Sequence, residues 1–529
     1  MSRTCRALVW VPIVFLLLMA GATLGCIAQT TQQQTTLTIA GVYEPPTLDP
    51  HATDSGTALG VIMEIVENLL AFKPGTAEIS PCLAERYELS ADGLTYTFHL
   101  RQGIQFTDGT PFNAAAVKLN IDRIVALGKN SATLLGDIAR VDVIDGYTVA
   151  IVLNQPTPLF LLKLTAKAAL HIISPQSIQD HATSADPWAE NWVATHPVGT
   201  GPYKLVEWVP QDRVVLAKNP TYWRGWEGKH IDTIIRRTVP EYTTRKLLLQ
   251  QGQADIIDSP AADDLANLRA IPGIVVRDLA TLNTVWYLPI YTSTVMQNVH
   301  VRRALSWAFP YAEAVQIAGM GSIQLQGPVP SSVPGHDKNL FMYTTDLKKA
   351  ADELTASGYA KGELSITLVH YTSDVNRRVF EVFQRNLRDV GIDLKLWDMD
   401  WGQFSPWANA DAASKAGADI FHVEQWPDFP DPYNYVTLYF KNTEDFWTWY
   451  PRGYVNDDIN RLTTEAELTE DQTRRNQLYS EVQQILVDDA VGIWAYQIGD
   501  ALAMQEAVKG FVFTPANYGA YNIYEIYKE

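Results

Sequence analysis

Cysteine is nearly absent. The 529-residue chain holds three, Cys5, Cys26 and Cys82, and only Cys82 stands in the body. One thiol builds neither a disulfide framework nor a cysteine metal site. Histidine supplies no substitute: the ten are scattered, with no H-E-x-x-H and no close pair, so neither a metal nor another cofactor is expected. Basic residues are also few, 41 against 59 acids, for a formal charge of −18. That balance excludes a nucleic-acid binder, which needs a basic face to displace counterions. The chain lacks G-x-S-x-G and G-x-x-x-x-G-K, and its G-T-G-P-Y-K lacks the third glycine of a dinucleotide loop. No enzyme is expected. No repeat of fixed period is visible, which excludes solenoids and propellers.

Charge is missing from one long run near the N-terminus. After Arg3 and Arg6, nothing from Ala7 to Gly25 is charged. A basic start before an apolar run reads as an export signal, and this one is long enough to span a bilayer. Cys26 follows at once in TLGC, which resembles the lipobox of bacterial lipoproteins. Two expectations stand: lipid attachment at Cys26, or an uncleaved anchor helix over 7–25. Both place the body on the outer, extracytoplasmic face of the cell membrane. Residues 28–36, AQTTQQQTT, have nothing to bury. Fully extended, the stretch would reach about 30 Å as a tether.

Hydrophobic residues make up 47% of the chain and charged ones 19%, the balance of a globular protein with two or three cores. Leu37–Ala40 reads as a strand. The run ALGVIMEIVENLLAF (58–72) has helical apolar spacing, with Thr53, Asp54 and Ser55 as candidate caps. Residues 94–101 alternate as a half-buried strand, Asn113 is placed to cap a helix from Ala114, and 137–153 reads as a hairpin about Asp145-Gly146. Strands are expected on either side of Pro210, over 230–240 and over 283–291. Helices are expected over 243–252 and 301–309, where Arg302 and Arg303 read as a solvated face. From about 290 to 490 helix and strand alternate, the mark of an α/β domain.

One stretch stands out, VEQWPDFPDPYNYV (423–436). Pro427, Pro430 and Pro432 forbid a helix interior or a central strand, yet Trp426, Tyr433 and Tyr435 are residues that want burial. It reads as a stiffened acidic, aromatic loop.

Five segments, in order, resemble the extracytoplasmic solute-binding proteins of peptide/nickel-type ABC transporters, the family 5 proteins that bind dipeptides, oligopeptides or nickel chelates. They are PPTLDP (45–50), ADGLTYTFHLRQGIQFTDGTPFNAAAVK (91–118), GTGPYKL (199–205), NPTYWRG (219–225) and VRRALSWAF (301–309). The resemblance spans about residues 37–529. It implies an α/β fold of two lobes, similar to periplasmic binding proteins of type II, with a subdomain inserted in the first lobe. The implied layout is a signal segment 1–26, a linker 27–36, and lobe I over 37–66, 190–288 and 491–529. Residues 67–189 would be the insertion and 289–490 lobe II. Hinge strands would run near NTVWYLPIY and GIWAYQ.

The implied partners are a peptide or similar small solute and ABC permease subunits, with the protein acting as a monomer. Binding of a nickel chelate or other small solute, or a role as an extracytoplasmic sensor that presents its bound ligand to a signalling receptor, are the alternatives. In peptide-binding relatives an acid in D-x-x-D-P accepts the ligand's amino group, which transfers to Asp428, with Asp431 as the second acid. Trp426 and Tyr433 would be flat walls for the ligand. Asp54, Ser55 and Gly56 correspond to a segment whose backbone pairs with extended peptides, and Trp286 and Tyr287 lie on the expected hinge strand. The relatives space this tryptophan one residue further from the acid, so WPDFPDP implies a differently shaped pocket.

Overall fold

The computed structural model describes residues 35–410, 415–442 and 453–529. The leader, Cys26 and nearly all of the tether lie outside them. Among the described residues no helix is long and apolar enough to cross a membrane.

One large mixed sheet organises the body. Its first half is built on Thr36–Gly41, flanked in parallel by Thr233–Thr238 and by the short strand Ile256–Asp258. Arg213–Lys218 and Tyr203–Val209 continue it antiparallel to the edge. The second half holds Leu364–Tyr371, parallel to both Ile392–Met399 and Ile420–Gln425. A parallel pair needs a crossover, and the helix Asp374–Val390 supplies it, capped by Ser373 and ended at Gly391 in the left-handed region (φ 103°).

Two long strands belong to both halves. Ile274–Pro289 and Ile493–Gln505 pair antiparallel along most of their length. Beyond Gly499 the latter pairs with Ile256–Asp258; from Thr284 onward the former pairs with Ile420–Gln425. The register shifts between Ala280 and Thr284, opposite Gly499 and Gln497. Here Thr281 donates its hydroxyl to the Ile498 carbonyl (2.5 Å). Gly499 is required by close approach: a Cβ there would lie 2.0 Å from the Met320 carbonyl oxygen. The change of neighbours thus falls inside continuous strands, with no linker composition to mark it.

On the far side of that shift both faces of the strand are buried. Val285 and Tyr287 enter one core, Trp286 and Leu288 the other. That is why NTVWYLPIY reads as an unbroken apolar run.

Residues 84–153 form a separate antiparallel sheet in the order Ala84–Leu89, Thr95–Leu100, Thr148–Leu153, Ile138–Asp145, with its own core. Asn113 caps the helix Ala114–Leu127, its side chain accepting from Ala116 N–H (3.0 Å). From that helix the buried Arg123 reaches Asp49 (2.9 Å), tying this unit to the start of the body.

Two local expectations need correction. The run 58–72 is not one helix. The helix covers Gly56–Ile65, Val66 turns extended, and Leu70–Phe72 pairs with Ile79–Pro81 as a strand. Glu67 marks the break, because its buried carboxylate is held by Thr200 (2.8 Å), Tyr222 (3.0 Å) and Trp223 (2.9 Å). Arg302 is not on a solvated face. It is 7% exposed and donates to the carbonyls of Met296 (2.7 Å) and Asp489 (2.7 Å), locking the start of its helix to a distant turn.

Candidate functional site

The proline-rich loop leaves the strand Ile420–Gln425 at the end where Gln425 pairs with Thr284, next to the register shift. Its second part is fastened. Asp431 caps the short 3-10 turn Pro432–Asn434, accepting from Tyr433 N–H (2.9 Å), and forms a forked ion pair with Arg475 (2.5 and 2.7 Å). Asn434 donates to the Phe429 carbonyl (2.9 Å) and Gln425 to the Asn434 carbonyl (2.8 Å). Tyr435, fully buried, donates to the Leu282 carbonyl (2.8 Å). A bidentate guanidinium–carboxylate pair with these neighbours fixes the backbone.

The first part projects into a cavity of about 420 Å³. Trp426, 48% exposed, and Asp428 line it from the second half of the sheet. The rest of the wall comes from Tyr43, Asp54 and Gly56, from Lys167, from Arg236, Asp258 and Asp500, and from Tyr518 and Tyr521. Pockets of this size are at the small end of ligand sites.

The cavity is charged and aromatic together. Arg236 is paired with Asp258 (3.1 Å), and Asp258 also accepts from Val42 N–H (3.0 Å). Tyr518 donates its hydroxyl to Asp500 (2.8 Å), while its ring lies 5.7 Å from that of Trp426 and 5.8 Å from the Lys167 ammonium. Among the described residues no ion pair or hydrogen bond reaches the side chains of Lys167, Asp54 or Asp428.

Burial pushes the Asp428 carboxyl above the usual carboxylate range; Lys167 draws it back, and Asp54 adds to the rise. Burial pulls the Lys167 ammonium down, opposed by Asp428 and Asp54. Asp500 is likewise pushed up by burial, with the Tyr518 hydroxyl and the Ala501 N–H working against it. Each carboxylate is therefore poised to gain from a positive ligand group that restores its charge.

The residues singled out from sequence divide. Asp428, Trp426, Asp54 and Gly56 line one cavity. Ser55 does not; it occupies the cap position of the helix Gly56–Ile65 without a side-chain hydrogen bond. Asp431 is 4% exposed and committed to Arg475. Tyr433 stacks on Phe429 (6.2 Å) under the Lys163 ammonium (5.7 Å) and is not among the residues lining the cavity. Trp286 and Tyr287 are core residues, the first against Trp494 and Tyr439, the second against Phe309 and His422.

Sequence reasoning missed Lys167, Arg236, Asp258, Asp500 and Tyr518. Two carried a readable signal. Asp500 interrupts the apolar strand IWAYQIGDALAMQ, and Lys167 stands alone between buried alanines in TAKAAL. A charge inside a buried apolar run has to be matched by a partner or a task.

Comparison with known proteins adds three findings. Residues 78–447 match the family model described as bacterial extracellular solute-binding proteins, family 5 Middle. The chain is 29% identical over 500 residues to a protein of Escherichia coli K12 named as a probable D,D-dipeptide-binding periplasmic protein, DdpA, covering 92% of this chain and 93% of that one. Two solved structures are each 26% identical. DppA of Helicobacter pylori, in complex with the peptide STSA, covers 93% of this chain and 98% of its own (TM-score 0.76). HbpA2 of Haemophilus parasuis covers 93% and 100% (TM-score 0.82).

Proposed function

This chain belongs to the family 5 extracellular solute-binding proteins of bacteria, a family of two-lobed binding proteins and not of enzymes, and from that premise we propose that it captures a short peptide by its amino group and delivers it to an ABC permease. The observation that carries the reading is the placing of Asp428 beside Trp426. With Asp54, Gly56 and Tyr518 they line one cavity, which in this reading lies between the two lobes. An ammonium group there would meet a partly desolvated carboxylate, a charge-assisted contact stronger than the same pair in water. The peptide class draws support from the D,D-dipeptide in the name of DdpA and from the STSA peptide bound by DppA.

Lobe I in this reading is assembled from the start of the body, the return from about 190 and the C-terminal segment, and the strands Ile274–Pro289 and Ile493–Gln505 are its hinges. Closure about the register shift at Ala280–Thr284 would bring Trp426 and Asp428 onto a ligand held by lobe I. The protein acts as a monomer on the outer face of the membrane, held by a lipid on Cys26. Nickel-chelate binding has no support in the cavity, where no histidine stands among the described lining residues.

The test is to purify the protein natively, denature it and identify the released solute by mass spectrometry. A small solute with a free amino group supports the reading; one without an amine overturns it. Membrane fractionation checks the tether, since Cys26→Ser should move a lipidated protein to the soluble fraction.

A further inference from the structure

The cavity holds two charged poles, and each has one carboxylate more than it has cations. At one pole Asp54 and Asp428 share Lys167; at the other Arg236 pairs with Asp258, and Asp500 lines the same cavity with no cation of its own. The first pole has no direct ion pair among the described residues. At the second, Arg236 is committed to Asp258 (3.1 Å), which leaves Asp500 held only by neutral donors, the Tyr518 hydroxyl (2.8 Å) and the Ala501 N–H (2.7 Å). Tyr518 spans the gap between the poles. Its hydroxyl rests on Asp500 and its ring lies beside Trp426 and the Lys167 ammonium, so the two poles stand about one tyrosine side chain apart.

We propose that the cleft selects solutes carrying two positive charges, an amino terminus and a basic side chain, one for each pole. This rests on the reading that Asp428 takes the amino group. A ligand with a single ammonium neutralises the first pole and leaves Asp500 half-buried without a counter-charge. A second cation, placed a lysine side chain away, completes the set. The wall between the poles suits it, because Trp426 and Tyr518 present ring faces to passing cations. The chain's −18 charge would attract such a ligand from a distance.

Alanyl-lysine and alanyl-methionine are matched probes, similar in length and shape and differing in the side-chain ammonium. By titration calorimetry at low salt, the native protein should bind alanyl-lysine at least tenfold more tightly. Asp500→Asn keeps an acceptor for Tyr518 and removes the charge. It should erase most of that preference, chiefly by weakening alanyl-lysine. Lys167→Met should tighten both dipeptides, a gain that misfolding cannot imitate. Equal affinity for the two probes, tighter alanyl-methionine, no binding of either, or a preference untouched by Asp500→Asn overturns the proposal. The underlying reading fails separately: Asp428→Asn would then leave both affinities as they were, whatever their ratio.

Discussion

Two halves of one loop, three residues apart, treat the same side chain in opposite ways. Asp431 is locked against Arg475 and holds the chain; Asp428 has no direct partner among the described residues and faces a cavity. Both are aspartates beside prolines, Asp431 buried and Asp428 half-buried, and the degree of burial does not explain their different partners. What separates them is whether the fold supplies the counter-charge or leaves it to come from outside. Satisfied carboxylates build the frame, and unsatisfied ones are held ready on it.

The largest way to break this contrast is to remove the internal counter-charge. Arg475→Ala strands Asp431 in the interior, and such a loss typically costs about 3–5 kcal/mol. Denaturant unfolding should report it, and ligand binding should fall as well, because the loop that carries Asp428 loses its anchor. Asp431→Asn combined with Arg475→Met should recover much of the stability.

Glu64 sharpens the contrast as a third case. It is 3% exposed, accepts from Ile523 N–H (2.9 Å), and is pushed from 4.5 to about 7 by burial. Between those values the folded state binds more protons than the unfolded chain, so this group's contribution is full below about pH 4.5 and is lost as pH rises through 7. The loss is on the order of 3 kcal/mol. Glu64→Gln should flatten that slope, measured as the difference between variant and parent in stability from pH 5 to 8. Parallel slopes would remove Glu64 as its source.

Asp428→Asn should do the reverse of Arg475→Ala. Stability should stay level or rise slightly, since a half-buried, unpaired charge is gone, while affinity for an amine-bearing solute falls tenfold or more. The affinity of the parent protein should also fall as pH is lowered through the raised Asp428 value, and the variant should lose that dependence. Calorimetry across pH reads both effects. Trp426→Leu should be the smallest change, weakening binding by about 1 kcal/mol through loss of the aromatic wall and leaving unfolding untouched.

The fold was widely legible because its signals are local. Asn113 capping its helix, the hairpin at Asp145-Gly146 and the alternation of 95–100 each follow from neighbouring residues. The helix misread over 58–72 failed because its end is set by Thr200, Tyr222 and Trp223, far along the chain. The candidate site divides in the same way. Asp428 and Trp426 were readable because prolines excluded regular structure around them. Tyr287 and Trp286 misled, since an aromatic on a strand has the same spelling whether it faces a ligand or a second core. Lys167 and Asp500 sit on separate elements brought together by topology, and no spacing rule joins positions 333 residues apart.

The two strands that cross between the halves of the sheet have a mechanical consequence. A pull separating the lobes along the strand direction is borne first by two covalent backbones. The load then passes sideways into the neighbouring pairings, and on the side of Thr36–Gly41 that pairing is Ile256–Asp258, only three residues long. Pulled apart in a single-molecule experiment, the body should yield by shearing that short strand off its neighbours while the lobes stay joined.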